Sequence, residues 1–562
     1  MKKISKILSI LLVSVCLGST LFGCIGSSGG TNIDSGKSQL YVGSYNGGYG
    51  TKWLEDIAKD FENDPIISST SFENGKKGVQ VIIDPKENFL GQTLAKNIAG
   101  NKNNIIFAEQ VYYDEMVKQN LLLDITDVMT SEPSAGDGIL EDKLLDWQKE
   151  VLKTSDGKYY AIPHYQIFNG IIYDKDLFDK YGLYIPLYPD TDANEYGFLG
   201  DPSYEKSYGP DGKPETEDDG LPATYDELKR LINYMAKGTD ITPFIWTGKS
   251  KGYLHKVVAS ASAAYNGNEG ILVQATFNSN GKEMDVVTGF ESNGQPVVNK
   301  QVITPETGYL ARQLYGTYLG FELCEYILSD ESFYTSSSRG DTSSQTAAQR
   351  EYIYSAYEKG QAPIAFLLDG CYWENEATNA FKSFEDKFDA NHTFERNFKM
   401  LPMPGAEGVE AGMVDTAFSY VVANKNISNN AEKVNLVKTF LKYCYTNEAL
   451  EKFTVSTGST RAMKYEISDD AYESLSSFQQ SVWDQRKLMN WSATVSTSKI
   501  YLNAQPKFSL TANSDYYESV IPGKGTYSSV YDAIKNNGLK AKDYFKGMWI
   551  SPEVWNSTYY KV

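Results

Sequence analysis

The chain has 562 residues and a formal net charge of −19, from 53 Lys and Arg against 72 Asp and Glu. This length exceeds the size at which one hydrophobic core keeps growing, so the sequence predicts at least two lobes. The acidic balance excludes nucleic acid as an expected partner, because clustered Lys and Arg carry phosphate-backbone binding. Three widely separated histidines without an HExxH motif also disfavour a zinc centre.

The N-terminus has the layout of a secretory signal. Three lysines precede an uncharged stretch over residues 7–22, which ends in the sequence LFGC at residues 21–24. This ending resembles the bacterial lipobox, so residues 1–23 are predicted to be a lipoprotein signal peptide and Cys24 the lipidated residue. A Gly/Ser/Thr-rich stretch then completes a flexible tether over residues 24–38.

Short apolar runs alternate with helical patterns in the first part of the body, as in βα units around a parallel sheet. Residues 39–45, 78–83 and 104–108 are predicted strands. Helices are predicted after the first strand, over residues 90–98 and around Met116. In open α/β sheets ligands lie outside the carboxyl ends of strands, so residues 45–49 and 109–112 are predicted to line a binding site.

An acidic segment near residues 190–220 is predicted to be a surface insertion, and its end reads GPDGKPETEDDG over residues 209–220. Hard cations bind several converging carboxylate and carbonyl oxygens on flexible loops. Asp211, Glu217, Asp218 and Asp219 are therefore candidate ligands for a structural calcium ion, although the spacing is not that of an EF-hand. The next residues, TYDE at 224–227, predict a capping box that opens a helix through Met235.

Several motifs together resemble the family 1 extracellular solute-binding proteins of carbohydrate ABC transporters, the family of maltose-binding protein. The first loop reads YNGGYGTKWLE from residue 45, and the third strand reads IIFAE from residue 105. The sequences GKYYAIPH at 157–164 and GIIYDKDLF at 170–178 resemble the segment in which the family's chain crosses into the second lobe. A small-residue strand reads GQAPIAFLLDGCYW from 360, the return crossing MLPMPG from 400, and later helices occupy 431–453.

The resemblance implies an α/β fold in two lobes, a clamp with a ligand cleft between lobes joined by hinge segments. Lobe 1 is expected to combine residues 39–167 with 406–455. Lobe 2 is expected to hold residues 168–405 and most of a C-terminal helical segment over 456–562. The resemblance further implies a protein that captures an oligosaccharide at the extracytoplasmic face of the bacterial cell membrane. Such a protein delivers the oligosaccharide, unmodified, to a permease.

The resemblance also implies ligand-binding positions where its motifs align. The first loop, third strand and crossover supply Tyr45, Asn46, Tyr49, Glu109, Tyr112, Tyr165 and Gln166. Later segments supply Trp246, Asp369, Trp373, Asp415, Phe418 and Trp491. Trp373 is the expected main aromatic contact. The sequence TGSTR at 457–461 departs from the family, where proline often follows the glycine, and this leaves the role of Arg461 open.

Two other functions compete with sugar capture. The same clamp could bind a peptide or another non-sugar solute, because the fold does not fix the ligand. A secreted glycoside hydrolase is the third possibility, but the sequence contains no nucleophile elbow and no histidine arrangement suited to a triad. We therefore expect a monomeric binding protein that is not an enzyme and requires no cofactor, with calcium as a structural addition only.

Overall fold

The computed structural model describes residues 32–188, 193–200, 203–340, 343–388, 396–510 and 515–561. The signal peptide and Cys24 lie outside these residues, as do parts of the tether and of the acidic segment. Within the described ranges no helix is long and apolar enough to cross a membrane.

The strands of the structure, in chain order, are β1 (Ser38–Tyr45), β2 (Val79–Lys86), β3 (Ile105–Ala108), β4 (Ala161–Pro163), β5 (Asn169–Asp174), β6 (Thr242–Ile245), β7 (Glu283–Phe290), β8 (Pro296–Val302), β9 (Ile364–Gly370), β10 (Phe398–Met400), β11 (Gly412–Asp415), β12 (Tyr420–Ala423), β13 (Asn490–Ala493), β14 (Ser519–Ile521) and β15 (Gly525–Tyr527).

The α-helices are α1 (Lys52–Asn63), α2 (Pro65–Ser69), α3 (Gly91–Asn97), α4 (Tyr113–Lys118), α5 (Thr126–Met129), α6 (Asp146–Leu152), α7 (Lys175–Tyr181), α8 (Tyr225–Gly238), α9 (Leu254–Thr276), α10 (Tyr315–Ser329), α11 (Gln345–Ser355), α12 (Trp373–Glu376), α13 (Thr378–Phe388), α14 (Ala431–Tyr443), α15 (Asn447–Thr457), α16 (Asp469–Glu473), α17 (Ser477–Leu488), α18 (Lys499–Asn503), α19 (Gln505–Phe508), α20 (Ala541–Gly547) and α21 (Pro552–Val554).

Two sheets form the two lobes. The lobe 1 sheet has the order β2-β1-β3-β12-β4, and the lobe 2 sheet has the order β10-β5-β9-β6. The predicted two-lobed α/β clamp is confirmed. The expectation of a parallel sheet is wrong in part, because β12 runs antiparallel to β3 and β4, and β5 runs antiparallel to β9 and β10. These antiparallel strands are the ones that carry the chain into or back from the other lobe.

The burial of the strands shows that each sheet is covered on both faces. All four residues of β3 are buried, as are all seven of β9, which is the pattern of strands packed on both sides. Neighbouring residues of β5 alternate between two cores: Ile171 and Tyr173 join the lobe 2 core, whereas Ile172 joins the core that continues into lobe 1. The lobe 2 sheet is therefore a middle layer between two sets of helices.

The chain crosses between the lobes three times. The first crossing joins β4 to β5, and the second joins β10 to β12 through β11. The third follows α15, whose neighbours are in lobe 1, and reaches a C-terminal segment that packs into the lobe 2 core through residues such as Tyr516 and Tyr544. Strands β11 and β13 pair in parallel within the second and third crossings. The hinge is thus a set of hydrogen-bonded segments rather than a loose linker.

Candidate functional site

A cleft of about 610 Å³ lies between the lobes. Its lobe 1 wall is formed by Tyr45, at the end of β1, by Tyr49 in the next turn, and by Glu109 directly after β3. These are the carboxyl ends of parallel strands, where open α/β sheets place ligands. The close approach of the two walls explains one glycine of the first loop: a Cβ at Gly48 would lie 3.1 Å from the side chain of Tyr372 in lobe 2.

The lobe 1 wall contains a buried carboxylate that forms no ion pair with any cation in the described part of the chain. Glu109 is 9% exposed and accepts a hydrogen bond from the Tyr165 hydroxyl. Burial raises the pKa of the Glu109 carboxyl to about 7, against the lowering effect of that hydrogen bond. Because buried charges are ordinarily paired, this carboxylate is poised to accept hydrogen bonds from a bound molecule.

The lobe 2 wall is organised around Lys256, on the first turn of α9. Its Nζ lies 3.2 Å from Oδ1 of Asp369, donates to the Tyr372 hydroxyl, and lies 3.8 Å from the centre of the Tyr253 ring. Gln349 donates to both Asp369 and Glu376, each at 3.0 Å. Burial, followed by the charge of Asp369, raises the pKa of Glu376 to about 7. Lys256 thus contacts two tyrosines of the wall, and its positive charge forms an ion pair with Asp369.

The floor of the cleft is built by the crossing segments. Ile167, Asn169 and Thr416 line it, and Asn169 Nδ2 donates to Thr416 Oγ1 at 2.8 Å. Asp415 lies just behind, accepting from the backbone N–H groups of Ile167 and Ala417 at 3.1 and 2.9 Å. Burial raises the pKa of Asp415 to about 7. A molecule in the cleft would therefore contact the segments that cross between the lobes.

Three of the predicted site residues line the cleft, and three more support residues that do. Tyr45, Tyr49 and Glu109 are part of the lining. Tyr165 holds Glu109, Asp369 holds Lys256, and Asp415 fixes the floor. Their contact with a ligand remains a prediction.

The other predicted positions do not line this cleft. Trp373 is fully buried, with its ring edge-to-face against Phe398 and Phe478. Trp246 is 1% exposed and packs on Tyr334 in the lobe 2 core. Gln166 is also buried, where its side chain accepts from Thr460 and Arg486. The following predicted residues lie outside the cleft lining: Asn46, Tyr112, Phe418 and Trp491.

The residue missed most narrowly is Tyr372, the neighbour of Trp373. It lines the cleft and is held by Lys256, whereas Trp373 begins α12 and turns into the core. The small-residue strand does end at the cleft, but the sequence pattern favours the larger aromatic, Trp373, over Tyr372. Tyr253, Lys256 and Glu376 were missed as well, because nothing in their local sequence distinguishes a cleft-facing turn from a surface one.

Arg461 has a structural role inside lobe 1. It is fully buried, its guanidinium lies 3.9 Å from the centre of the Phe453 ring, and it contacts His164 Nδ1. Burial lowers the pKa of His164 well below its usual value, and the charge of Arg461 lowers it further. The segment that contains Arg461 starts at Gly458, which ends α15 in the left-handed conformation.

The four acidic residues proposed to bind calcium do not all converge. Oxygens of Asp211, Asp218 and Asp219 lie 3.4, 2.7 and 3.3 Å from the Thr216 hydroxyl, whereas Glu217 pairs with Lys399. Among the residues that the structure describes, no group of three or more His, Cys, Asp or Glu side chains is arranged as a metal site. The calcium ion remains a prediction of the sequence.

Comparisons with known proteins support the resemblance found in the sequence. Residues 47–232 match the model of the bacterial extracellular solute-binding protein family, which confirms the resemblance over that region. The matched region includes Tyr49 and Glu109 of the cleft wall and ends within α8. A comparison with curated protein sequences found no match.

Three solved structures illustrate the similarity in three dimensions. A chitin oligosaccharide binding protein is 15% identical with a TM-score of 0.49, and the alignment covers 92% of this chain and 98% of that one. The GacH receptor of Streptomyces glaucescens is 12% identical, with the same TM-score and coverage. The maltotriose binding protein of Thermus thermophilus is 14% identical, with a TM-score of 0.43 over 91% of this chain and 98% of that one.

Proposed function

We propose that this protein captures an oligosaccharide between its two lobes and delivers it, unchanged, to the permease of an ABC transporter. The observation that carries the proposal is the cleft of about 610 Å³, whose two walls come from different lobes and both combine tyrosines with carboxylates. The volume is within the usual range for sites that enclose a small molecule.

The side chains of the cleft suit a polyhydroxylated ligand. Tyrosine rings offer apolar faces with a polar edge, and Tyr45, Tyr253 and Tyr372 present them from both walls. Glu109 and Glu376 are acceptors for ligand hydroxyl groups. The one lysine of the described lining, Lys256, is already paired with Asp369, so the cleft has no spare cation for an acidic ligand.

Capture requires the lobes to move. Contacts made only when both walls touch the ligand shift the population toward the closed state, and the three crossings are the segments that would bend. In a closed but empty cleft the polar groups would lack partners, at about 1 to 3 kcal/mol each, which favours opening after release.

Localisation and partners complete the proposal. The signal sequence and Cys24 support a lipid anchor at the extracytoplasmic face of the cell membrane, and the family match over residues 47–232 supports a position outside the cytoplasm. We propose a monomer that has no catalytic activity and no nucleic-acid partner. The anchor would keep the cleft near the permease that takes up the ligand.

Thermal unfolding in the presence of candidate ligands tests this function. The mature protein is heated with malto-, xylo- and chito-oligosaccharides, with short peptides and with polyols in parallel. A specific ligand at 100 times its dissociation constant stabilises by about 2.7 kcal/mol and raises the midpoint. A shift with one sugar series supports the proposal. A shift with peptides and none with sugars would assign the clamp to the peptide-binding alternative.

A further inference from the structure

The C-terminal segment forms part of the cleft, far from the region that matches the family. Asp515, Tyr517, Glu518 and Ser528 all line the same cavity as Tyr372 and Glu109. The family match ends at residue 232, so this wall is not part of the matched region. The segment is anchored in lobe 2: the Tyr544 hydroxyl donates to the backbone carbonyl of Tyr517 at 2.6 Å.

The start of α9 divides the lobe 2 side of the cleft into two parts. Successive helical residues differ in direction by about 100°, because an α-helix has 3.6 residues per turn. Tyr253 and Lys256 therefore lie on one side of the first turn of α9, which we call the first shoulder. This shoulder contacts Tyr372 and Asp369. His255 lies on the other shoulder and contacts Tyr517, with ring centres 5.0 Å apart. Between the shoulders the lining residues are small, including Ala259.

Tyr517 is held in place by the contacts of its ring. The side chain is 6% exposed, and its ring also packs against Phe321 with centres 5.7 Å apart. A tyrosine ring fixed at the surface of a cleft offers a ligand an apolar face and a polar edge, and Tyr517 is part of the cleft lining.

The neighbouring groups are acceptors. The Glu518 carboxylate lies 3.5 Å from Nζ of Lys507. The backbone N–H of Glu518 donates to the backbone carbonyl of Asp515, and this turn leaves both carboxylates in the cleft lining. Burial lowers the pKa of His255 to about 4, so this ring is neutral near pH 7 and supplies no positive charge. The second part of the cleft therefore presents acceptors and one hydroxyl, as the first part does.

We infer that Tyr517, Glu518 and Asp515 form a second sugar subsite, on the opposite side of the α9 shoulder from Tyr372, and that the C-terminal segment thereby sets the length of oligosaccharide that the cleft accepts. The inference rests on the proposed function. A ligand long enough to span α9 satisfies both parts, whereas a shorter one fills only the part around Tyr372 and Lys256.

Chain-length dependence of binding tests the second subsite. Dissociation constants are measured by calorimetry for the two-, three-, four- and five-unit members of the malto-, xylo- and chito-oligosaccharide series. In the wild type, one added unit should tighten binding by about tenfold at the length that first spans α9. Tyr517→Phe, which keeps the ring packing, and Glu518→Ala should each reduce that gain to threefold or less, with the shorter members unaffected.

Two further variants separate this role from a general effect. Val520→Ala, at a side chain of the same segment that is 52% exposed, should keep the full gain. Tyr372→Phe, on the first shoulder, should weaken binding of all lengths alike. If Tyr517→Phe and Glu518→Ala leave the gain intact, or weaken every length equally, the second subsite is wrong while sugar capture stands. If no member of any series binds the wild type, the proposed function itself fails.

Discussion

The two walls of the cleft satisfy their charges in different ways. On the lobe 2 wall, Asp369 is paired with Lys256, and that ammonium also contacts Tyr253 and Tyr372. On the lobe 1 wall, Glu109 is buried with a tyrosine hydroxyl as its partner, and no cation of the described residues pairs with it. The lobe 2 wall is therefore organised before a ligand arrives, whereas the lobe 1 wall has binding capacity that only a ligand fills.

This difference suggests an order of events. A ligand would first meet the ordered tyrosines of lobe 2, and closure would then bring Glu109 to its hydroxyl groups. Preorganised groups lose little entropy on binding, and a buried acceptor gains most when it is finally paired. Substitutions in each wall, and in the core behind the lobe 2 wall, distinguish the paired charges of lobe 2 from the carboxylate of lobe 1 that has no cationic partner among the described residues.

The largest effect is expected in the core behind the lobe 2 wall. Trp373→Ala removes a fully buried ring packed against Phe398 and Phe478, and should lower the free energy of unfolding by about 3 to 5 kcal/mol. Tyr372→Ala, one residue earlier, should destabilise less and weaken sugar binding more. Denaturant unfolding and calorimetry measure the two quantities, and the reverse pattern would return Trp373 to the binding site.

The pairing of Lys256 is tested by Lys256→Met. This change leaves Asp369, whose side chain is 2% exposed, without its cation, and should lower the free energy of unfolding by about 3 kcal/mol. The control is Lys52→Met, which removes an exposed pair with Asp56 and should cost no more than about 0.5 kcal/mol. Equal losses in urea unfolding would mean that Lys256 does not organise the wall.

The unsatisfied wall is tested through pH. The pKa of Glu109 is about 7 in the folded protein, above its ordinary value of 4.5, so the folded state binds more protons than the unfolded chain between these values. Stability therefore falls as pH rises through this window. Glu109→Gln removes that fall, and at pH 8 the variant should exceed the wild type by no more than about 3 kcal/mol.

Unfolding midpoints measured from pH 4 to pH 8 check this prediction. Wild type and Glu109→Gln should be alike at pH 4 and diverge above it, while binding of the best sugar weakens in the variant. Glu55→Gln, at an exposed position of α1, should keep the wild-type profile. A Glu109→Gln profile that parallels the wild type would show that Glu109 is not a buried, unpaired acid.

The smallest effect concerns the acidic loop, which contributes no residue to the described cleft lining. If Asp211, Asp218 and Asp219 hold calcium, chelation with EDTA should lower the free energy of unfolding by about 1.4 kcal/mol when free calcium had been ten times its dissociation constant. Asp218→Asn should remove the response. An unfolding midpoint that does not change with EDTA would mean that the loop binds no metal.

Local pattern was sufficient for the first half of lobe 1. Strands β1 and β3 fall within one residue of the prediction, β2 begins within one residue but ends three residues later, and helix α1 follows the first strand as predicted. Each of these segments has a clear period and a glycine or polar boundary. The helix that follows the Thr224 capping box also begins as expected, although it continues to Gly238. These features are determined by neighbouring residues.

The cleft could be predicted only where it follows strand ends. Tyr45, Tyr49 and Glu109 were found because a strand end has a recognisable sequence. His255 and Tyr517 are brought into contact by tertiary packing between segments that are far apart in the chain, and no local period marks such a contact. Local sequence also fails to show that Trp373 lies in the core, because a large aromatic ring suits both a binding site and a core.

The central claim is that the cleft holds an oligosaccharide and releases it intact, and one experiment tests it directly. The mature protein is incubated with a mixture of oligosaccharides, separated from unbound material, and denatured, and the released molecules are identified by mass spectrometry. The account predicts one glycan class, retained at about one molecule per chain and recovered at its original length. Retention of peptides alone, or recovery of shortened glycans, would contradict it.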